Sequence, residues 1–283
     1  MSRNTRNLIG RVLFYLLVGV ILIYTIFPFY WAFISSITPN NQLFATPVQY
    51  WPQNATMQNY GLVLSNNNFL IALMNSAIVS VSVTALALIV GSLAAYALGR
   101  FKFGGRSVVL YTVLAMTMFP QIAVLGSLYT MISAFRLYNT LWALIITYMI
   151  FTLPFTVWVL TNFFKAMPRE LEEAAYVDGA SPFQTFYKIL LPLAAPGMVT
   201  TGLLAFIAAW NEYLFALSFT QTPEKRTVTI AITAFEGVTA SSFEQPWGQI
   251  MAASVLVTIP LIVLTLIFQK RIIAGLTAGA VKG

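Results

Sequence analysis

The sequence has no cysteine and no histidine among its 283 residues. Without cysteine, the chain cannot form a disulfide, a thiolate metal site or a cysteine nucleophile. Without histidine, it lacks the commonest metal ligand, the usual general base and every serine–histidine catalytic arrangement. It also lacks the GxxxxGK[ST] pattern of a phosphate-binding loop, so any ATP has to be bound by another protein. These absences predict a chain that is not an enzyme and that holds neither a metal nor a cofactor.

Charged residues are scarce as well, at 8% of this chain against about 25% in typical soluble domains. Hydrophobic residues make up 59% of the sequence, and the mean hydropathy is +0.80. A soluble protein of this size still needs a polar surface, which this composition cannot supply. We therefore interpret the chain as an integral membrane protein, for which membrane lipid acts as the solvent.

Six apolar stretches are long enough to cross a membrane as helices, which takes about 20 residues each. They cover residues 12–34, 76–98, 108–131, 141–164, 195–219 and 247–268. These runs are too long and too uniformly apolar for the alternating strands of a membrane barrel, which are ~10 residues long. The first run is longer than the apolar core of a signal peptide, and no cleavage pattern follows it. The sequence thus predicts an all-α polytopic protein with six transmembrane helices.

The lysines and arginines fall mostly on one side of these six helices. Twelve of the 15 lie in the N-terminus, in the loops after the second and fourth helices, and in the C-terminus. Cytoplasmic segments of membrane proteins are enriched in such residues. We therefore predict cytoplasmic termini and a multi-pass protein of the cell membrane. The net charge of +7 then reflects orientation and does not indicate a nucleic-acid partner.

One short cytoplasmic segment, residues 168–192, holds four of the eight acidic residues. Pro168 favours a helix start, and the carboxylates that follow are stabilised by the positive end of the helix dipole. Gly179 can take the left-handed conformation that ends a helix, and Ser181-Pro182 is typical of the start of a second one. We predict two short helices on the cytoplasmic surface. Four apolar members could face another protein: Leu171, Ala174, Ala175 and Phe183.

The alternative is an amphipathic loop that rests on lipid headgroups. Four acids disfavour this interpretation, because the cytoplasmic leaflet is itself anionic. A protein partner is the better physical explanation of the segment.

The spacing of this segment resembles the EAA loop of the permease subunits of ABC importers. Glu173-Ala174-Ala175 is followed by Gly179, by Ile189 ten residues further, and by Leu191-Pro192. Three other stretches carry the resemblance further: Gln58-Asn59-Tyr60, Trp210-Asn211-Glu212-Tyr213, and the tail from Ala274 to Gly283. Nearly the whole chain resembles the smaller, MalG-type permease of the maltose-transporter family, which imports carbohydrates.

That resemblance implies a type I ABC importer permease fold and a defined set of partners. These are a second permease of MalF type, two ATPase subunits that bind ATP and magnesium, and an external solute-binding protein that delivers a di- or oligosaccharide. The two loop helices would dock on an ATPase subunit and couple ATP use to alternating access. The residues implied for the coupling loop are Leu171, Glu173, Ala174, Ala175, Asp178, Gly179 and Phe183. Those implied for a second ATPase contact, in the tail at 270–283, are Leu276, Thr277, Gly279 and Lys282.

Glu212 is the one charged residue inside a predicted span. A charge at mid-bilayer costs roughly 2.5–3.5 kcal/mol on insertion scales, so such residues usually face the bundle interior or water. Glu212 could belong to the translocation pathway or an external gate, with Trp210, Asn211 and Tyr213 offering hydrogen bonds and stacking surface for sugar. Alternatively, it is hydrated near the interface or bonded to a neighbouring helix. Both interpretations remain open from sequence.

Features outside the membrane helices lead to two smaller expectations. The external loop at 220–246 is long enough to reach an external partner. Four prolines inside the spans are expected to kink or interrupt their helices. They are Pro28, Pro120, Pro154 and Pro260.

Other functional classes make different predictions. An ion-coupled secondary transporter needs paired charges within the membrane and often an inverted repeat. The spans hold one lone acid, and no repeat is obvious. An intramembrane enzyme without histidine or cysteine would need an aspartate pair or a serine–lysine pair, and no span contains aspartate or lysine. Importers of other solutes also carry EAA loops. The absence of basic residues from the spans favours a neutral sugar over an anion.

Overall fold

Helices account for nearly all regular structure in the computed structural model, which describes residues 3–235 and 245–278. Side chains are described for residue 7, residues 9–235 and residues 245–270. No strand occurs within these ranges. The helices are α1 (Arg3–Ile37), α2 (Gln58–Ser65), α3 (Asn67–Arg100), α4 (Arg106–Met116), α5 (Gln121–Ala134), α6 (Leu141–Ala166), α7 (Glu170–Val177), α8 (Pro182–Thr185), α9 (Leu191–Leu193), α10 (Ala195–Trp210), α11 (Leu214–Phe219), α12 (Val228–Thr233) and α13 (Trp247–Ala278).

Four of the described helices are long and apolar enough to cross a membrane alone: segments of α1, α3, α6 and α13. Two further candidates are bent pairs of helices. α4 and α5 meet at 97°, and the segment Pro182–Leu193 meets α10 at 75°. The described part of the chain therefore has four spans by length and composition, or up to six if each bent pair is counted as one.

Two predicted spans are interrupted. The stretch at 108–131 breaks between α4 and α5, where Pro120 lacks the N–H that would continue the helix. In the stretch at 195–219 the helix ends at Trp210 and a second helix begins at Leu214, so this predicted span consists of two helices. Helices α1, α6 and α13 continue through their internal prolines without interruption.

The chain divides into two compact units, and the first comprises Met1–Asn67 with Ile232–Thr258. The amide of Asn59 ties α2 to the end of α1 in this unit, because its Nδ2 donates to the backbone oxygens of Ser36, at 3.0 Å, and Thr38, at 3.3 Å. The hydroxyl of Tyr60 lies 2.7 Å from that of Ser36. The Gln58-Asn59-Tyr60 stretch therefore fixes a helix corner. Large apolar side chains along α1 are exposed, as expected of a helix that contacts lipid.

The second unit comprises Asn68–Ala231 with Ile259–Gly283, and α6 lies at its centre with α4 and α10 packed on it. Small residues allow this close packing. A Cβ at Gly91 of α3 would lie 2.7 Å from the Cγ2 of Thr156, and one at Gly197 of α10 would lie 2.7 Å from the ring of Phe163. Close backbone approach through small residues is typical of membrane helices.

Several buried clusters hold this second unit together, and two of them concern the candidate sites. One joins α3, α5, α6 and α11 around Val83, Leu144 and Phe215. The other joins the end of α3 and the end of α6 to the segment after α8, around Tyr96, Phe164 and Phe186. The second cluster lies directly beneath the acidic segment at 168–192 and therefore supports it.

Candidate coupling loop

The acidic segment forms the two short helices that the sequence predicted. The first, α7, begins at Glu170, and the backbone oxygen of Arg169 accepts the N–H groups of Glu172 and Glu173. Three carboxylates, those of Glu170, Glu172 and Glu173, lie in the first turn, where the helix dipole favours negative charge.

Gly179 ends α7 with a left-handed conformation, at φ +82°. Its N–H donates to the Tyr176 oxygen at 3.1 Å, and the N–H of Ala180 donates to the Ala175 oxygen at 2.9 Å. This pair of bonds is the Schellman arrangement, which satisfies carbonyls at a helix end. A Cβ at Gly179 would meet nothing within 4 Å. The position therefore requires glycine for its backbone conformation and not for space.

A reciprocal cap starts α8. The Ser181 hydroxyl accepts the N–H of Gln184 at 3.3 Å, and the Gln184 side chain accepts the N–H of Ser181 at 2.8 Å. Pro182 occupies the first helical turn, where its missing N–H costs nothing. The chain then continues through a π-helical turn, Phe186–Leu190, and through α9 to the bend before α10. The predicted Ser-Pro helix start is confirmed.

The loop has a buried side and an exposed side. Phe186 and Leu190 are buried in the cluster with Tyr96 and Phe164, so they anchor the second loop helix. Four residues of the segment, Glu173, Ala174, Phe183 and Tyr187, are exposed, and we call them together the exposed loop face. Asp178 and Gly179 are exposed beside it.

The sequence placed two further loop residues on the outside. Ala175 is only 3% exposed, because its position on α7 turns it towards the body of the protein, so its side chain does not lie on the exposed loop face. Leu171 is half-buried. The remaining predicted loop residues lie together within this one segment.

Sequence reasoning missed Arg100, the last residue of α3. Its guanidinium is buried and pairs with the carboxylate of Glu172, with Nε 2.7 Å from Oε2. In the sequence, a basic residue at the end of an apolar run predicts only the orientation of the helix. The available signal was an arginine at the end of an apolar run in a chain with so few acids.

The predicted tail contact lies at the end of α13. The backbone of Leu276 and Thr277 is helical within α13, whereas Gly279 and Lys282 lie outside the described residues. The role of the tail stays a prediction.

Glu212 lies in the break between α10 and α11 and not within a helix. Its carboxylate accepts the N–H of Phe215 at 2.7 Å and that of Ala216 at 3.0 Å, so it caps the start of α11. Its backbone oxygen accepts the hydroxyl of Thr229 at 2.8 Å. The hydroxyl of Tyr148 is buried close to this carboxylate. A local structural role thus accounts for the charge.

The neighbours of Glu212 differ in exposure. Trp210 is 3% exposed and stacks on Phe206, whereas Asn211 and Tyr213 are exposed. The 16 residues of α10 separate this group from the coupling loop by about 24 Å at 1.5 Å per residue. The pathway role of the group stays a prediction.

The beginning of the predicted external loop is held by three polar side chains. Asn139 Oδ1 accepts the N–H groups of Gln221 and Thr222, at 2.9 and 3.1 Å. Asn75 Nδ2 donates to the backbone oxygens of Glu224 and Arg226, at 2.9 and 3.0 Å. The Ser76 hydroxyl accepts the N–H of Val228 at 2.9 Å. This segment is therefore a fixed surface, and residues 236–244 of the same loop lie outside the described residues.

The Asp and Glu side chains of the described residues were compared with the grouping that a metal ion needs. Within residues 3–235 and 245–278, no three Asp, Glu, His or Cys side chains form a group that could hold an ion.

Comparison with known proteins shows the family. A family model described as "Binding-protein-dependent transport system inner membrane component" matches residues 87–277, which include the whole coupling loop. The trehalose/maltose transport system permease protein MalG of Thermococcus litoralis is 44% identical over 95% of this chain and 96% of its own length. The trehalose transport system permease protein SugB of Mycobacterium tuberculosis is 42% identical over 92% of this chain and 93% of its own.

A more distant relative and two solved structures extend the comparison. The diacetylchitobiose uptake system permease protein DasC of Streptomyces coelicolor is 34% identical over 98% of this chain and 99% of its own. A chain of a bacterial ABC transporter that imports alginate superposes with a TM-score of 0.82 at 23% identity, covering 95% of this chain and 98% of that one. A chain of the MetNI methionine ABC transporter gives 0.55 at 19% identity, covering 78% and 99%.

At such low identity the two structures establish the fold alone, which is that of ABC importer permeases. The family match and the close relatives establish more, because they extend over most of the sequence. The chain belongs to the family of binding-protein-dependent transport system inner membrane components: it is a multi-pass membrane permease subunit of an ABC importer and a transport protein rather than an enzyme.

Proposed function

We propose that this chain is a permease subunit that imports a neutral di- or oligosaccharide, delivered by an external solute-binding protein. It pairs with a second permease of MalF type, and two ATPase subunits bind and hydrolyse ATP with magnesium on the cytoplasmic side. The chain itself supplies a path and a mechanical link, and it binds no nucleotide.

The observation that carries this proposal is the construction of the coupling loop. Two capped helices present the exposed loop face outward, while Phe186 and Leu190 are held in the cluster beneath. Phe183 is 64% exposed, and such an apolar side chain next to carboxylates on a rigid support fits a protein partner better than water or anionic lipid. An ATPase subunit that binds here can move the ends of α3 and α6 through that cluster.

The nature of the cargo follows from the relatives and from charge. Three relatives at least 34% identical over nearly the full chain are named for trehalose, maltose and diacetylchitobiose, and a fourth, 36% identical, is named for sulfoquinovosyl glycerol, so a sugar or glycoside is common to all four names. The six apolar stretches contain no lysine or arginine, whereas a path for anions would favour basic groups. The structural likeness to the alginate and methionine transporters does not bear on cargo, since that fold serves both.

On the external side, the segment fixed by Asn75, Ser76 and Asn139 is the surface that we assign to the solute-binding protein. Gln221, Glu224 and Lys225 are exposed there, and their backbone is held in place. A pre-formed surface loses little entropy when a partner docks.

The proposal is tested by affinity purification of the tagged chain from native membranes, with mass spectrometry of the proteins that accompany it. We expect a second permease, an ATPase and a solute-binding protein. The variant Ala174→Arg, on the exposed loop face, should lose the ATPase and keep the second permease. Ala166→Arg is the matched control, since Ala166 is also exposed and lies at the end of α6.

Transport itself is then measured with the purified complex in vesicles. Uptake of trehalose or maltose that needs both ATP and the binding protein supports the proposal. Uptake of methionine or an alginate oligosaccharide instead would assign another cargo. Uptake by the chain without ATP would contradict the proposal and favour an ion-coupled transporter.

A further inference from the structure

Arg100 and Glu172 form a buried ion pair that joins a membrane helix to the coupling loop. The side chain of Arg100 is 4% exposed and that of Glu172 is 12% exposed. Nε of Arg100 donates to Oε2 of Glu172 at 2.7 Å, and Nη2 contacts the same oxygen. Arg100 is the last residue of α3, and Glu172 lies in the first turn of α7.

The same guanidinium also binds the end of α6. Nη1 donates to the backbone oxygens of Phe164, at 3.2 Å, and Met167, at 2.9 Å, and Nη2 donates to that of Pro168 at 3.1 Å. An arginine has five N–H donors. Three of them donate to carbonyls and the Nε–H donates to the carboxylate, whose Oε2 is also in ion-pair contact with Nη2. One side chain therefore links the ends of α3 and α6 with the start of α7.

The position of Glu172 connects the exposed loop face to Arg100. Glu172 points into the protein, while the next two residues, Glu173 and Ala174, lie on the exposed loop face. A partner that pushes on these two residues therefore acts on the helix turn that Arg100 holds. The other buried residue of α7 is Ala175, whose small side chain makes few contacts that could transmit a displacement.

Stability alone is a weak reason for such a pair. Burying two charges costs desolvation, and apolar residues of similar volume often serve stability equally well. What the guanidinium adds is a planar fork with fixed directions, which a lysine ammonium does not provide. The pair therefore fixes the geometry between elements more than it adds stability.

We propose that Arg100 and Glu172 are a positioning pair, a joint through which a displacement of α7 reaches the ends of α3 and α6 together. Neither residue touches cargo or nucleotide. The inference rests on the proposed function for the source of the displacement, the ATPase, but the joint itself is a property of this chain.

The test separates the joint from simple stability by removing both charges at once. Arg100→Gln or Glu172→Gln alone leaves one charge buried and unpaired, so we expect poor assembly of each single variant. The double variant Arg100→Gln/Glu172→Gln is neutral and should assemble close to wild type. The matched control is Arg169→Gln/Glu170→Gln, which removes the same two charges from exposed positions beside the pair.

Two readouts are taken on the assembled double variant. The first is sugar imported per ATP hydrolysed in vesicles, which we expect to fall about tenfold, within the range usual for coupling between sites. The second needs no cargo or ATPase. The chain has no cysteine, so spin labels at Val90→Cys on α3 and Val177→Cys on α7, both exposed, report the distance between these helices. We expect a narrow distribution in wild type and a broad one in the double variant.

Each result decides the question. A double variant with unchanged distance distribution and unchanged coupling overturns the joint and leaves the pair a purely structural feature. Broadening with loss of coupling, and neither change in the control, supports it. If the double variant does not assemble, Arg100→Lys takes its place, because it keeps the charge but replaces five donors with one ammonium group. If the wild-type complex imports no sugar, the proposed function is wrong. The spin-label distance distributions then test by themselves whether Arg100 and Glu172 fix α7 relative to α3.

Discussion

Replacement of Gly179 should detach the ATPase from the permease without unfolding the membrane helices. The residue has φ +82°, and an L-residue in this left-handed conformation costs about 1–2 kcal/mol. Because a Cβ here would meet nothing within 4 Å, steric clash adds nothing to that penalty. If the turn changes conformation instead, it loses the two bonds donated by the N–H groups of residues 179 and 180, at about 1 kcal/mol each.

These terms predict a graded series of variants. Gly179→Asn should be mildest, since asparagine tolerates the left-handed region best, followed by Gly179→Ala and then by Gly179→Val, whose branched side chain is least tolerant. For the valine variant, strain of about 2 kcal/mol in the left-handed turn corresponds to a shift of about 30-fold away from the capped turn. Gly104→Val is the matched control, because Gly104 is also free of neighbours but has no left-handed backbone.

Two measurements check the series. Co-purification should show ATPase retention that falls from asparagine to alanine to valine, with the second permease retained throughout. Amide hydrogen exchange at residues 179 and 180 should accelerate in the same order. Full ATPase retention by Gly179→Val, or an equal loss in Gly104→Val, would refute the argument that backbone conformation at this turn sets the docking surface.

Three further predictions follow from the described contacts. Ser181→Ala removes the hydroxyl that accepts the Gln184 N–H and should cost about 1 kcal/mol of local stability, whereas Ser181→Asp should keep the cap; faster amide exchange in the alanine variant alone checks this. Phe186→Ala, at a buried site, should cost about 3–5 kcal/mol and reduce the yield of folded chain, whereas exposed Phe183→Ala should fold normally and bind the ATPase less; the opposite pattern would contradict the assignment of the two faces. Glu212→Gln keeps one acceptor for α11, so we expect a lower melting temperature and normal uptake; normal assembly with lost uptake would instead place the charge in the translocation pathway.

The sequence was informative wherever the relevant physics is local. Gly179 and Ser181-Pro182 set backbone conformations within a few residues, so the sequence predicts the end of α7 and the start of α8. The composition could only mean a membrane protein, because no arrangement of so few charges covers a soluble surface. The long apolar runs likewise predicted helices, since a lipid-embedded backbone must satisfy its own hydrogen bonds.

The tertiary structure alone decided which members of a pattern face inward. Ala174 and Ala175 are the same residue type at neighbouring positions. Packing of α7 against the rest of the protein nevertheless buries Ala175 and leaves Ala174 on the exposed loop face. The break after Trp210 also escaped the sequence, because Glu212 looked like a charge inside an apolar helix. It lies instead in the break between two helices, and its carboxylate caps the start of α11.

The partnership of Arg100 and Glu172 shows the same division most clearly. The two residues are separated by 72 positions, and nothing local in either stretch predicts that they meet. From sequence, Arg100 was one of twelve basic residues that mark the cytoplasmic side, and Glu172 was one acid in a polar loop. Their pairing depends on where α3, α6 and α7 end in space. Local chemistry therefore determined which elements form, and the packing of distant helices determined which side chains join them.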